Sequence, residues 1–115
     1  MGLVTLDEVR AAAERITGVV VRTPLLPAEW AGGRLWLKPE CLQPTGAFKL
    51  RGALHAVSRL ADRRGVVTHS SGNHGQALAY AARAAGVPCV VVMPDAALPH
   101  KVEAVRRLGA EVVLV

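Results

Sequence analysis

Short apolar runs alternate with helix-like segments in the second half of the chain, and this alternation is the feature that most restricts the fold. Valine-rich runs stand at residues 66–69, 89–93 and 112–115, and helix-like segments stand between them at 76–85 and 101–108. Continuous apolar strands separated by helices are typical of parallel sheets that carry helices on their faces. The pattern therefore predicts an α/β fold, a parallel sheet with helices.

The first half of the chain carries different signals. Thr5 and Glu8 form a capping box, which predicts a helix that ends near Gly18. Polar and apolar residues alternate over 34–38, as in a half-exposed strand. A loop with proline and glycine follows, and an apolar stripe then predicts a helix from about 47 to 61.

The formal net charge of +5 raises the question of nucleic-acid binding. The arginine pairs at 63–64 and 106–107 come just before Gly65 and Gly109, which we expect to cap helix C-termini, where cations are favourable. The sequence has no basic stripe interleaved with aromatic residues and no helix-turn-helix or zinc-finger spacing. We therefore expect a basic surface and no nucleic acid among the partners.

Secreted, membrane and metal-binding classes find no support in the sequence. The apolar runs are too short to span a bilayer, and the charged N-terminal segment is unlike a signal peptide. Cys41 and Cys89 make no disulfide framework or metal-type pair, and His69 and His74 lack a third ligand. We expect a cytoplasmic protein with no membrane partner and no metal.

The last apolar run ends the sequence at Val115. A parallel sheet that stopped there would leave an apolar edge and an uncovered face. We therefore expect the fold to be incomplete at the C-terminus and to need more chain.

Residues 44–52, PTGAFKLRG, form the first segment that could carry chemistry. Lys49 is expected in the first turn of a helix, just after a flexible loop. The positive end of the helix dipole and the nearby Arg51 would both favour a neutral amine, which a Schiff-base nucleophile requires. The alternative is a solvated lysine at a helix end, which is the commoner role for lysine. Position alone leaves both interpretations open.

Residues 68–76, THSSGNHGQ, form the second segment, between a buried-type strand and a helix. Ligands bind α/β sheets at the C-terminal ends of parallel strands, and the N-terminus of the following helix attracts anions. The segment lacks the G-x-G-x-x-G dinucleotide fingerprint. The alternative is a simple N-capping turn with Ser71 or Asn73 as the cap.

Several motifs, in this order along the chain, resemble the fold-type II pyridoxal-phosphate enzymes. They are RTPL at 22–25, KPE at 38–40, TGAFKLRGA at 45–53, SSGNHGQ at 70–76 and LGAEV at 108–112. Within that family the chain is most similar to the threonine/serine dehydratase and serine racemase group. The resemblance extends over almost the whole chain.

The resemblance implies roles for individual residues. Lys49 would form a Schiff base with pyridoxal 5'-phosphate and later move the Cα proton of the substrate. Phe48 would lie beside the pyridine ring, and Asn73 would hydrogen-bond the ring oxygen of the cofactor. Ser71 stands where racemase-like members place a serine that acts on the opposite face from the lysine. The carboxylate of the amino acid would be held around Ser70, Ser71, Gly72, Asn73 and His74.

The resemblance also implies a tryptophan-synthase-β-like fold and a β-elimination. Residues 1–60 would open the larger cofactor domain, and residues 61–115 would form most of the smaller substrate-binding domain. Serine or threonine would yield a 2-keto acid and ammonia, with serine racemase activity as a further implication. Members of the family are considerably longer, and their phosphate cup lies beyond the part matched here. A chain of this length would be a partial enzyme, which forms a homo-oligomer or needs the missing C-terminal portion.

Two alternatives stay open at this point. One is a non-catalytic remnant or binding module that uses the segment around Ser70 to bind a small ligand or a protein. The other is a different fold-type II enzyme, such as a threonine synthase or cysteine synthase relative. The preference among serine, threonine and 3-hydroxyaspartate is equally open.

Overall fold

The computed structural model describes residues 2–115. Over these residues the chain forms four α-helices and five strands in two sheets. The helices are α1 (Leu6–Ile16), α2 (Lys49–Ser58), α3 (Asn73–Ala85) and α4 (Pro99–Arg107). The strands are β1 (Leu26–Pro27), β2 (Trp36–Leu37), β3 (Val66–His69), β4 (Cys89–Met93) and β5 (Glu111–Leu114).

The larger sheet has the order β3-β4-β5, and both strand pairs are parallel. Val67 pairs with Val90, and Val91 pairs with Val112. Helix α3 connects β3 to β4, and α4 connects β4 to β5. The predicted parallel α/β sheet is confirmed. Strands β3 and β4 have the bounds that the sequence predicted, 66–69 and 89–93.

The two faces of this sheet differ in burial. On one face Cys89, Val91 and Met93 are buried, and α3 packs against the same strand. On the other face Val67 is 71% exposed and Val113 is 37% exposed. The continuous apolar pattern is typical of strands buried on both faces, whereas the described helices cover only one. The uncovered face expected from the sequence is therefore present.

The core lies where α2 and α3 pack on each other and α3 packs on β3 and β4. Ala77 and Ala82 of α3 are fully buried, as is Leu50 of α2. Small alanine side chains let the two helix backbones approach closely, and the larger residues fill the remaining space. The start of α2 is therefore fixed against α3.

The N-terminal helix begins with the predicted capping box. The backbone N–H of Thr5 donates to Glu8 Oε2 (2.7 Å), and the N–H of Glu8 donates to Thr5 Oγ1 (3.2 Å). The bond from the Thr5 N–H, followed by a second bond from the Thr5 hydroxyl to Glu8 Oε2 (3.0 Å), lowers the pKa of the Glu8 carboxyl below its usual range. Of the apolar residues of α1, Ile16 is buried, while Val9 is 53% exposed.

Three helices have bounds that differ from those predicted, among them α4, which runs over Pro99–Arg107 and not over 101–108. Helix α2 runs over Lys49–Ser58 and is shorter than the predicted 47–61, because a turn precedes it and irregular chain follows it. Helix α3 begins at Asn73 and not at residue 76, so the second half of the SSGNHGQ motif is helical. The hydrophobic periodicity did not reveal this first turn because it is polar.

Only one of the two expected glycine caps is present. Gly109 follows α4 with a φ of +86°, a conformation that favours glycine. Gly65 lies directly before β3, well past the end of α2, so it caps no helix. The neighbouring Arg63 donates to the carbonyl of Ala85 (3.1 Å) at the end of α3 instead.

Two short strands, β1 and β2, pair antiparallel in a small separate sheet. The alternation over 34–38 predicted β2, which the structure limits to Trp36 and Leu37, and its partner β1 was not predicted. Among residues 2–115, no helix has both the length and the apolar content that crossing a bilayer requires.

Two helical glycines give a matched test of the packing between α3 and the sheet. A Cβ at Gly75 would stand 3.0 Å from the Ser70 carbonyl oxygen and 3.1 Å from Val91 Cγ1. A Cβ at Gly52 in α2 would meet no atom of residues 2–115 within 4 Å. We expect Gly75→Ala to lower the free energy of unfolding by about 1–3 kcal/mol through overpacking.

The control, Gly52→Ala, should raise the free energy of unfolding by about 0.5–1 kcal/mol, because alanine loses less backbone entropy in a helix. Urea unfolding followed by circular dichroism measures both. Equal effects of the two substitutions would contradict close packing at Gly75.

Candidate functional site

Lys49 is the first residue of α2, as the sequence predicted. Its side chain is exposed, and its Nζ lies 5.5 Å from the centroid of the Phe48 ring. Phe48 is 60% exposed and immediately precedes the helix, with no side chain capping the helix there. An amine and an aromatic face thus stand together at the positive end of a helix dipole.

The loop that leads into α2 is built around a glycine. Gly46 has a φ of +73°, and its N–H donates to the Gln43 carbonyl (2.7 Å). A residue with a Cβ would be strained in this conformation, so glycine allows the turn that brings Lys49 to the helix start. The hydroxyl of Thr45 in this loop is buried and finds no hydrogen-bond partner within residues 2–115.

A carboxylate next to this loop accepts hydrogen bonds from three side chains. Arg51 Nε donates to Glu40 Oε2 and an Arg51 terminal nitrogen donates to Glu40 Oε1, both at 2.8 Å. The Thr23 hydroxyl donates to Oε1 (2.6 Å), and Gln43 Nε2 donates to Oε2 (3.2 Å). Lys38 Nζ donates to the Thr23 hydroxyl (2.8 Å). We call these five residues the Glu40 cluster.

The Glu40 cluster also binds a backbone segment. The Val21 N–H donates to Gln43 Oε1 (2.9 Å), and Gln43 Nε2 donates to the Val21 carbonyl (2.7 Å). Arg51 donates to the same carbonyl (3.1 Å). The Gln43 side-chain amide therefore forms hydrogen bonds with both the N–H and the carbonyl of Val21, as a neighbouring strand would.

The expectation that Arg51 acts on Lys49 needs correction. The structure pairs Arg51 with Glu40, and this carboxylate compensates the positive charge of the guanidinium. Residues two positions apart do not face each other on a helix, so Arg51 and Lys49 lie on different sides of α2. Hydrogen bonds from Arg51 are the main cause that lowers the pKa of the Glu40 carboxyl to about 2. The same pairing raises the pKa of the guanidinium.

The second segment turns tightly between β3 and α3, and we call residues 70–75 the Ser70 turn. Ser70 Oγ accepts hydrogen bonds from the N–H of Gly72 (3.2 Å) and the N–H of Gly75 (3.1 Å). Gly72 is the N-cap of α3 and has no side chain to cap it. The alternative of a simple cap by Ser71 or Asn73 is wrong, because Ser70 Oγ accepts the N–H of Gly75 from outside the helix.

The exposed residues of the Ser70 turn leave donors available at the helix start. Asn73 and His74 are the first two residues of α3 and are exposed. The N–H groups of a first helical turn have no acceptor within the helix, and the dipole there favours an anion. This geometry supports the anion site inferred from the sequence.

A groove of about 550 Å³ lies at the C-terminal ends of the parallel strands. It is lined by His69, Ser70, Ser71, Gly72, Val92, Met93, Pro94 and Val115. Lys49, Phe48 and Asn73 are not part of this lining. The structure thus brings Ser70, Ser71 and Gly72 together in one groove and places the lysine on the neighbouring helix α2, which packs on α3.

The Glu40 cluster was missed as a unit in the sequence, although Glu40 and Arg51 both belong to recognised motifs. The sequence patterns predicted no role for Gln43, yet this residue is buried, with 3% of its surface exposed. One available signal was an acid and an amide three positions apart directly before a glycine-containing loop. That signal is weak, because it does not tell which distant backbone the two side chains contact.

Comparisons with known proteins agree on one family. The sequence profile of the family described as "Pyridoxal-phosphate dependent enzyme" matches residues 16–115. The chain is 45% identical over 119 residues to the serine racemase of Dictyostelium discoideum, covering 97% of this chain and 37% of that protein. It is 41% identical over 119 residues to the L-threonine ammonia-lyase of Thermotoga maritima, covering 97% of this chain and 30% of that protein.

A solved structure agrees as well. The crystal structure of the serine racemase from Dictyostelium discoideum superposes with a TM-score of 0.89 at 45% identity, covering 96% of this chain and 38% of the other. The chain therefore spans about a third of the length of the curated relatives it matches. These likenesses confirm the fold predicted from the motifs.

The depressed pKa of Glu40 gives a test of the cluster by pH. A carboxyl whose pKa is lowered from 4.5 to about 2 on folding stabilises the fold above pH 4.5 and loses that contribution as the pH falls toward 2. We expect the free energy of unfolding of the unsubstituted chain to fall by about 3 kcal/mol more than that of Glu40→Gln between about pH 6 and pH 2.

Urea unfolding at a series of pH values measures this difference. The control is Glu103→Gln, which breaks the exposed pair of Glu103 and Arg107 and should change stability by less than about 0.5 kcal/mol. Parallel pH profiles for the unsubstituted chain and Glu40→Gln would show that Glu40 has no such role.

Proposed function

The chain belongs to the pyridoxal-phosphate dependent enzyme family, and we propose that it is the N-terminal portion of a threonine/serine dehydratase of fold type II. The proposed reaction converts serine or threonine to a 2-keto acid and ammonia, with racemisation of serine as a second outcome. The observation that carries the proposal is Lys49, an exposed amine at the first position of a helix whose entry loop is anchored by the Glu40 cluster.

The residues present fit part of a pyridoxal 5'-phosphate site. Lys49 offers an accessible amine, Phe48 an exposed aromatic face and Asn73 an exposed amide, at the starts of two helices that pack together. Bound there, the cofactor would supply an electron sink for a carbanion at Cα. The partners of its phosphate are expected, from the family resemblance, in sequence beyond the matched third.

In the proposed mechanism Lys49 handles the proton at Cα. Nζ takes this proton as general base and passes a proton to the β-hydroxyl, which departs as water. The Ser71 hydroxyl, on the neighbouring element, would deliver or remove a proton on the opposite face. That second proton transfer distinguishes racemisation from elimination.

The substrate carboxylate is proposed to bind at the start of α3. The N–H groups of Asn73 and His74 are donors at the positive end of a helix dipole, where an anion is favoured. Ser70 Oγ fixes the turn by accepting from two amides, so these donors are held in place before the substrate arrives. An amino-acid carboxylate has the charge and size that such a turn accepts.

The organisation of the whole protein is part of the proposal. Residues 1–60 would open the cofactor domain, and residues 61–115 would form most of the substrate-binding domain. The proposed partners are a C-terminal portion that holds the phosphate and further copies in a homo-oligomer, in a reducing cytoplasm. Among the relatives, one is named a serine racemase and another an L-threonine ammonia-lyase, which supports small hydroxy amino acids as substrates.

A non-catalytic binding module is the second candidate function. It is favoured by the groove at the strand ends, which is lined by Ser70, Ser71 and Gly72 but not by Lys49. In that case a ligand would bind without any covalent contact to the amine. Another fold-type II enzyme, such as a threonine synthase relative, would keep the lysine chemistry with a different substrate.

Covalent trapping tests the role of Lys49. We expect pyridoxal 5'-phosphate and borohydride to give a stable adduct on Lys49 in excess of adducts on Lys38 and Lys101, the other two lysines. Peptide mass mapping locates the adduct, with the chain alone and with the chain mixed with the C-terminal two-thirds of the Dictyostelium serine racemase.

Lys101→Ala is the control and should keep the adduct, whereas Lys49→Ala should lose it. An adduct only in the mixture would mean that the missing portion supplies the affinity. Equal labelling of all three lysines in both arrangements would exclude the enzyme interpretation.

Substitution of Ser71 tests the two-face mechanism in the same mixture. We expect Ser71→Ala to lower the rate of D-serine formation by about 100-fold, the scale of one lost acid–base group, while 2-keto acid formation continues. Chiral chromatography and a keto-acid assay measure the two products. Ser58→Ala, at an exposed serine of α2, should change neither rate; equal losses of both products in Ser71→Ala would contradict the separate role.

A further inference from the structure

Lys49 has no direct partner that fixes its amine. Its side chain is exposed, and within the described chain no hydrogen bond or ion pair reaches its Nζ; the nearest specific contact is the Phe48 ring. With no such partner, the region that the amine can reach is set by the position and direction of the backbone that carries it.

The backbone that carries Lys49 is anchored on both sides at one carboxylate. Gln43 lies six positions before Lys49 and donates to Glu40 Oε2, and Arg51 lies two positions after it and donates to both carboxylate oxygens. The tight turn at Gly46 lies between the two anchors. Any shift of Glu40 would move both ends of this short segment.

The anchor is rigid for a physical reason. The Glu40 side chain is 18% exposed and that of Arg51 31%, so both charges are largely withdrawn from water. A two-bond pair between a guanidinium and a carboxylate has one favoured geometry, and breaking a partly buried pair leaves an uncompensated charge. Thr23 and Gln43 occupy remaining acceptor positions of the carboxylate, which removes alternative arrangements.

We propose that Glu40 is a positioning residue for Lys49: through Arg51 and Gln43 it fixes the entry loop of α2 and hence the direction of the Lys49 amine over the Phe48 ring. The inference rests on the proposed function, in which Lys49 is the reacting amine. A negative carboxylate that never touches the substrate would thus determine where the reacting nitrogen stands.

The test is the NMR spectrum of the 115-residue chain carrying ¹³Cε-labelled lysine, because the Phe48 ring current shifts the Lys49 signal when Nζ lies over the ring. We expect Glu40→Gln to remove most of this shift while the protein remains folded. Lys101 serves as the internal reference, since it lies on α4, outside the Glu40 cluster. The matched control is Glu103→Gln, which breaks an ion pair of the same type on α4 and should leave the Lys49 signal in place.

A purely structural role for Glu40 would give a different result. Glu40→Gln would then lower the urea midpoint but leave the Lys49 signal of the folded protein unchanged, and this outcome overturns the proposal. If Glu40→Gln does not fold, Thr23→Val removes a single bond to the carboxylate and should move the Lys49 signal in the same direction by a smaller amount. An unmoved signal in folded Thr23→Val would then also overturn it.

The result is independent of cofactor chemistry. If covalent trapping fails at Lys49 but the NMR signal responds to Glu40, the proposed function is wrong and the positioning is right. If trapping succeeds and the signal does not respond, the proposed function stands and the positioning role of Glu40 is wrong.

Discussion

The carboxylate of Glu40 is the interaction on which the first half of the structure depends. It accepts from side chains at positions 23, 43 and 51, and two of those side chains also bind the backbone of Val21. Thr23 lies 17 positions before Glu40 and Arg51 lies 11 positions after it, and the strands of this half, β1 and β2, are short and largely exposed. A charged cluster with one favoured geometry therefore holds an irregular segment that apolar packing alone would leave loosely attached.

The second half is held together by different forces. Apolar strands and alanine-rich helices form a core that needs no polar partner, with Val91 and Ala82 fully buried. In the Ser70 turn, Gly75 permits α3 to approach the sheet and Ser70 Oγ binds two amides of the turn. The proposed reacting amine thus stands on a helix held both by the ionic Glu40 cluster and by apolar packing on α3, whereas the proposed anion-binding turn adjoins the apolar core of the second half.

Sequence patterns predicted the elements well where one physical rule dominated. Valine runs set β3 and β4, and the reciprocal bonds of Thr5 and Glu8 set the start of α1, because each depends only on nearby residues. The patterns failed at two helix ends. Gly65 caps no helix because α2 ends earlier, and Ser70, rather than Ser71 or Asn73, satisfies the start of α3. For the site, the motifs located Lys49 and the Ser70 turn, but the Glu40 cluster could not be predicted because its bonds join residues up to 30 positions apart.

By itself, the sequence determined the class of fold, the family and the two candidate segments for the site, since these follow from local periodicity and from ordered motifs. The tertiary structure alone decided which face of the sheet is covered, which residue pairs with Arg51 and which side chain satisfies α3. Those outcomes depend on the approach of groups from separate parts of the chain, and in each case desolvation selects the partner. A buried charge or amide requires a nearby group of the right geometry, and only the folded chain determines which one is there.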